Sequence, residues 1–255
     1  MIAPLDTEVI GSGPPVLLLH GAGGSPRDNF PFMDELAREF TVVGPSFPGV
    51  NGTPLMSEPL TAAGVAERVR VTLDEIGVET AAVAAYSMGT TIAAHLAATC
   101  PDRITAFALS AGLTRPRPSL RSLLDVWDAL LDGRPDVLGR FILGSTYRPE
   151  TSDERGSAWV AAAAAAIGSS FPRGTRAHLD LLRNVDSSQA LSSTEQPLLI
   201  VVPEHDGLVH PGHSDDLFAA RPDAQRVDLV SGHALGDEAA YPWFEALVNF
   251  LRSTA

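Results

Sequence analysis

The chain has 255 residues, 45% of them hydrophobic, enough for a sizeable core in one large domain or in a domain carrying an insertion. A formal charge of −13 argues against nucleic acid or an anionic membrane as a partner, and all eighteen basic residues are arginine. No run approaches the roughly 18 apolar residues of a membrane-spanning helix. The first residues lack the basic and apolar segments of a secretory signal, and the single cysteine, Cys100, excludes an internal disulfide and fits a cytoplasmic location.

In chain order, residues 5–10 are expected to form an edge strand, and Val16 to His20 a buried one. HGAGGSP (His20 to Pro26) is a glycine-rich loop. Phe30, Met33, Leu36 and Ala37 mark one face of a short helix. Thr41 to Gly44 is a strand, followed by a turn-rich loop over residues 45–54. Val65, Ala66, Val69, Leu73 and Ile76 give an amphipathic helix that Gly77 stops. Ala81 to Tyr86 is an apolar run suited to a strand buried on both faces, and Ile92, Ala93, Leu96 and Ala97 fall at helical spacing just after it. Between strand and helix stands Ser87, with Ala85 two residues before and Gly89 two after. A serine on so sharp a turn projects its hydroxyl clear of the sheet, and the small flanking residues let the turn close. An ordinary serine in a strand–helix turn is the plainer reading. Ile104 to Leu109 is a further strand.

The pattern changes near residue 113. Up to about residue 195 only helical pieces are expected, such as Leu120 to Leu131 and Ser157 to Ile167, broken by Pro and Gly. This segment holds ten Arg and ten Asp or Glu, so the net negative charge lies on the rest of the chain. Alternation then returns with a strand at Leu198 to Val202, a helix near Gly212 to Ala220 and a strand at Arg226 to Val230. A last helix follows, with Pro242 in its first turn and Phe244, Leu247, Val248 and Leu251 facing inward. Repeated strand–helix units imply a mostly parallel sheet covered on both faces, with sites at the C-terminal strand ends.

A serine hydroxyl needs a histidine to take its proton and an acid to orient that histidine. PEHDGLVHP after Val202 offers Glu204, His205, Asp206 and His210, and SGHALGDE after Val230 offers His233. The order Ser87, Asp206, His233 is the one expected of a serine triad on such a sheet.

With HGAGG at 20–24, PSFPG at 45–49, AYSMG at 85–89, EHDGLV at 204–209 and SGH at 231–233, the chain resembles the α/β-hydrolase superfamily. It is most like the capped esterases and carbon–carbon bond hydrolases. The resemblance implies a core over residues 1–112 and 196–255, and a helical cap, or lid, over 113–195. It also implies Ser87 as nucleophile, His233 as general base then acid, Asp206 as the orienting acid, and an oxyanion hole from the N–H groups of Ala22 and Met88. No cofactor or metal is implied. The elbow departs from the commoner pattern in having Ala85 for glycine, and Ser46 stands where such chains often carry a structural aspartate. Serine at 87 disfavours the dehalogenase and epoxide hydrolase chemistries, in which the nucleophile is aspartate.

Other residues receive milder readings. His20 is expected to support the oxyanion loop and, with Trp127, Phe141 and Trp159, is a candidate substrate contact. Tyr147 and Phe171 share the aromatic content of the cap, which is equally consistent with plain packing. Glu204 competes with Asp206 on position alone, while His210 and His213 lack a third ligand for zinc. Asp237 is expected to cap the final helix. The glycine-rich loop lacks both dinucleotide and phosphate-loop signatures. The expected activity is hydrolysis of a carboxylic ester, thioester or related small acyl compound. The alternatives are carbon–carbon bond hydrolysis, acyl transfer, cyclisation or lyase chemistry on the same triad, and a non-enzymatic binding protein.

Overall fold

The computed structural model describes residues 2–254. Among these residues seven strands form one sheet: β1 (Thr7–Gly11), β2 (Pro15–Leu19), β3 (Thr41–Pro45), β4 (Ala81–Tyr86), β5 (Ile104–Ser110), β6 (Leu198–Pro203) and β7 (Gln225–Leu229). Their spatial order is β1-β3-β2-β4-β5-β6-β7, with β1 antiparallel to β3 and every other pair parallel. Alternating side chains of β2 enter opposite layers. Leu17 and Leu19 join Val83, Phe107 and Ile200 on one face, and Val16 and Leu18 join Ala84, Ala108 and Val201 on the other.

The first layer is covered by α3 (Ala62–Glu75) and α4 (Met88–Thr99). The second is covered by the one-turn helices α1 (Pro26–Asn29) and α2 (Met33–Leu36), and by the final helix. The single helix expected around Phe30 and Met33 is therefore two short ones, because Pro31 keeps the residue before it out of helical geometry.

Between β5 and β6 lie α5 (Pro118–Leu131), α6 (Pro135–Thr146), α7 (Pro149–Ser170), α8 (Thr175–Asn184) and α9 (Ser188–Ser192). The prolines expected to break helices instead open them: Pro118, Pro135 and Pro149 each occupy the first turn, where a missing N–H leaves no bond unmade. α7 changes direction at Gly156, whose φ of +81° is open to glycine at little steric cost. α6 and α7 meet backbone to backbone. A Cβ on Gly139 would lie 1.7 Å from the Ala164 carbonyl oxygen, so this glycine permits close helix crossing. α9 packs on α4 and on α10 (Gly212–Ala220), which follows β6.

After β7 come α11 (Leu235–Glu238) and α12 (Ala240–Thr254). Trp243 is the fully buried aromatic of α12, donating its indole N–H to Ser110 Oγ at 2.8 Å, whereas Phe244 is only half-buried. Among the described residues no helix is long and apolar enough to cross a membrane.

Candidate active site

Ser87 sits between β4 and α4 with φ +53° and ψ −121°, a conformation that costs a non-glycine residue roughly 1–3 kcal/mol. The turn is held from both sides. The Ser87 N–H donates to the Ser110 carbonyl at 3.0 Å, and the Ser87 carbonyl accepts from the Thr90 N–H at 3.0 Å and the Thr90 hydroxyl at 2.6 Å. Two residues on, a Cβ at Gly89 would lie 2.2 Å from the Leu19 carbonyl oxygen, so any larger residue would push α4 off the end of β2.

The loop after β7 brings His233 to the serine. Its Nε2 accepts from Ser87 Oγ at 3.0 Å, and its Nδ1 donates to Asp206 Oδ2 at 2.6 Å. Asp206 Oδ1 in turn accepts the N–H groups of Leu208 and Val209, at 2.9 and 2.7 Å, which fixes the carboxylate plane. All three side chains are buried, while Glu204 and His205 are exposed beside them. The Tyr86 hydroxyl donates to the His233 carbonyl at 2.6 Å and adds a further hold on the histidine loop.

The glycine-rich loop is pinned by side chains from other elements. Gly21 donates its N–H to Asn29 Oδ1 at 2.7 Å, and Gly23 donates to His178 Nδ1 at 3.2 Å. Among the described residues the Ala22 N–H between them has no acceptor, and Ala22 faces the cavity. Met88 opens α4, so its N–H lacks an intrahelical partner.

His20 accepts the Phe47 N–H at Nε2, 2.9 Å away, so the proton lies on Nδ1, which donates to the Gly21 carbonyl at 2.8 Å. The same argument puts the His178 proton on Nε2, donating to the Pro48 carbonyl at 3.1 Å. Burial pushes both rings toward neutrality, His20 down to about 3 and His178 down to about 4. Sequence reasoning misses His178 and Asn29 because no motif surrounds them and His178 lies 155 residues from its partner.

A cavity of about 230 Å³ opens on Ser87 and His233. Its wall is largely apolar: Leu113, Leu120, Leu124, Trp127, Ile142, Ile167, Phe171, Leu182, Leu208 and Val209. Among the described residues no arginine lines it. Of the expected substrate contacts, Trp127 does, whereas His20, Phe141 and Trp159 lie outside the lining. His20 is spent on two loops, Phe141 packs against the core, and Trp159 lies edge-on to Tyr147 beneath the Arg155 guanidinium. A second cavity, about 250 Å³, shares Asp28, Asn29, Tyr86 and Thr146 with the first and is lined otherwise by Pro31, Tyr147, Asp237 and small residues.

Asp237 pairs with Arg155 at 2.7 Å instead of capping the final helix, which begins three residues later. His213 is buried and accepts the Arg117 N–H at 3.1 Å, and His210 is turned to the Gly212 N–H. Among the described residues no group of three or more His, Cys, Asp or Glu side chains could hold a metal. Ser46 anchors its loop, accepting from Asn51 Nδ2 at 2.8 Å.

Residues 14–240 match the family model described as the alpha/beta hydrolase fold. A pyrrolizixenacetamide deacetylase from Xenorhabdus hominickii is 24% identical over 246 residues, covering 95% of this chain and 92% of the relative. A thermophilic esterase from Thermogutta terrifontis superposes with a TM-score of 0.83 at 23% identity, over 98% of this chain and 93% of that one. The 2-hydroxy-6-oxo-6-phenylhexa-2,4-dienoate hydrolase of Rhodococcus sp. strain RHA1 superposes with a TM-score of 0.81 at 21% identity, over 96% and 94%. With the family match spanning most of its length and this fold around it, the chain belongs to the α/β-hydrolase fold family and is an enzyme of the hydrolase class.

Proposed function

We propose that the chain is a serine hydrolase of small, uncharged acyl compounds, either esters, thioesters or related species. The observation that carries this reading is the unbroken hydrogen-bonded line from Ser87 Oγ through His233 to Asp206, opening on an apolar cavity. Ser87 Oγ attacks the acyl carbonyl as its proton passes to His233 Nε2, while Asp206 holds the imidazole and stabilises the imidazolium. The oxyanion that forms accepts the N–H groups of Ala22 and Met88. Donors placed in this way are typically worth about 3–4 kcal/mol of transition-state stabilisation each. His233 then gives the proton to the leaving group. Water, activated by the same imidazole, cleaves the acyl-enzyme and releases the acid.

The helices of residues 113–195 act as the cap. They supply Leu120, Leu124, Trp127, Ile142, Ile167, Phe171 and Leu182 to the cavity wall. The apolar chamber suits the acyl group, and the adjoining cavity, which Asp28, Asn29 and Asp237 help to line, suits the departing alcohol, thiol or amine.

A fluorophosphonate probe tests the nucleophile. Labelling located at Ser87 by mass spectrometry, and lost in Ser87→Ala and His233→Ala, is the expected result. Wild-type protein that is folded but unlabelled would remove the acyl-enzyme mechanism. Incorporation of oxygen from labelled water into an acid product separates hydrolysis from acyl transfer and lyase chemistry.

A further inference from the structure

The loop that carries His233 is fastened by a group outside the triad. Glu238, the last residue of α11, has a side chain only 1% exposed. One carboxylate oxygen, Oε2, accepts the Gly232 N–H at 2.6 Å, immediately before the histidine. The other, Oε1, accepts the Arg148 N–H at 3.1 Å and the Thr151 hydroxyl, and the Arg148 Nε lies 3.5 Å away. Arg148 and Thr151 are the N-cap and first-turn residues of the first segment of α7, ahead of its break at Gly156. A single buried carboxylate thus bridges the histidine loop and the positive end of a helix belonging to the proposed cap.

The neighbouring atoms make the bridge exacting. A Cβ on Gly232 would stand 2.4 Å from the Thr146 carbonyl oxygen, 2.9 Å from Glu238 Oε2 and 3.1 Å from the Arg148 N, so the loop and the α6–α7 junction are in direct backbone contact. The Ala234 N–H, on the other side of the histidine, donates to the same Thr146 carbonyl at 3.0 Å. Both neighbours of His233 are therefore tied to the junction between α6 and α7, one of them through Glu238.

We propose that Glu238 is a positioning residue for His233, through which docking of α7 sets the orientation of the imidazole toward Ser87. The inference rests on the triad reading above. Its physical basis is that a carboxylate can accept on both oxygens at once. An amide offers only one acceptor and turns a donor toward either Gly232 or Arg148, and an aspartate, one methylene shorter, keeps the charge but cannot span the gap.

The test compares wild type, Glu238→Gln, Glu238→Asp and Thr151→Val by fluorophosphonate labelling rate at Ser87, kcat and KM on p-nitrophenyl butyrate, and Tm. Glu238→Gln and Glu238→Asp are expected to lose 10- to 100-fold in kcat and in labelling rate, with KM within about twofold of wild type. Thr151→Val, which removes one of the contacts and leaves the carboxylate in place, is expected to lose about threefold in kcat while remaining folded. This variant carries the test if the Glu238 variants do not fold. Faster exchange of the Gly232 amide in the folded variants is expected alongside. Equal kcat and labelling in wild type and the folded variants would overturn this inference alone. A kcat loss matched by an equal rise in KM would also overturn it, in favour of a general disturbance of the cavity. Absence of labelling in folded wild type would overturn the triad reading and this inference together.

Discussion

His178, on α8, accepts the N–H of Gly23 at 3.2 Å, so a helix inserted between β5 and β6 holds the loop that carries Ala22. Its other nitrogen donates to the Pro48 carbonyl at 3.1 Å, joining the loop after β2 to the loop after β3. One neutral imidazole thereby braces two loops that the chain brings together from far apart.

Removing that brace should loosen the proposed oxyanion loop without touching Ser87, His233 or Asp206. His178→Ala is expected to lower kcat about tenfold on a short-chain p-nitrophenyl ester and to lower Tm by several degrees, because the Gly23 N–H and the Pro48 carbonyl lose their partner. His178→Asn, whose amide can accept from Gly23, should recover part of kcat. Steady-state kinetics with thermal melts of both variants check this.

The same buried rings predict acid sensitivity. Burial is the largest cause in each case, holding His178 near 4 and His20 near 3, against 6.5 for the exposed ring, and the neighbouring His178 adds to the shift of His20. The unfolded state therefore binds these protons more readily than the native state. Their contribution is fully present above about pH 6.5 and is lost as pH falls toward 4 and then 3. Each fully linked proton is worth about 1.4 kcal/mol per pH unit, so the pair gives a slope of up to about 2.7 kcal/mol per unit. His95 and His213, lowered first by burial, act in the same direction. Urea midpoints should be flat from pH 8 to 7 and fall clearly by pH 5, with the slope reduced by about one proton in His178→Asn.

Asp206→Asn should retain the fold, because the Leu208 and Val209 N–H groups can still be accepted by the amide oxygen. The amide NH₂ then faces His233 and favours the tautomer with its proton on Nε2, the wrong nitrogen for deprotonating Ser87. A loss of kcat on the order of 10⁴ is expected, the size that the same aspartate-to-asparagine change has in a serine protease triad. Circular dichroism with steady-state kinetics tests it.

Ile167 offers a way to resize the proposed acyl chamber. It lines the cavity but is only half-buried, so Ile167→Ala should open space at modest cost to stability. The ratio of kcat/KM for octanoyl over butanoyl ester is expected to rise about tenfold, since each methylene newly accommodated is worth about 1–3 kcal/mol. An unchanged chain-length profile would place the acyl group elsewhere.

By itself, the sequence determined the α/β sheet and pointed to the loops of Ser87, Asp206 and His233, whose side chains the structure brings together. A short apolar run such as Ala81 to Tyr86 suits an interior strand, and a serine between a strand and a helix, followed by Gly89, marks its own turn. These signals are local, so they survive without coordinates. The helices between β5 and β6 were less legible because their prolines and glycines carry two meanings: Pro135 starts a helix, and Gly139 lets one helix lie against another. Only tertiary structure decided which side chains meet. Phe141 and Trp159 have the composition of a pocket wall yet lie outside its lining, and Asn29, His178 and Glu238 hold the loops of the candidate site without any motif. A hydrogen bond across 155 residues depends on how whole elements pack, and that packing is a property of the assembled core, which no local pattern encodes.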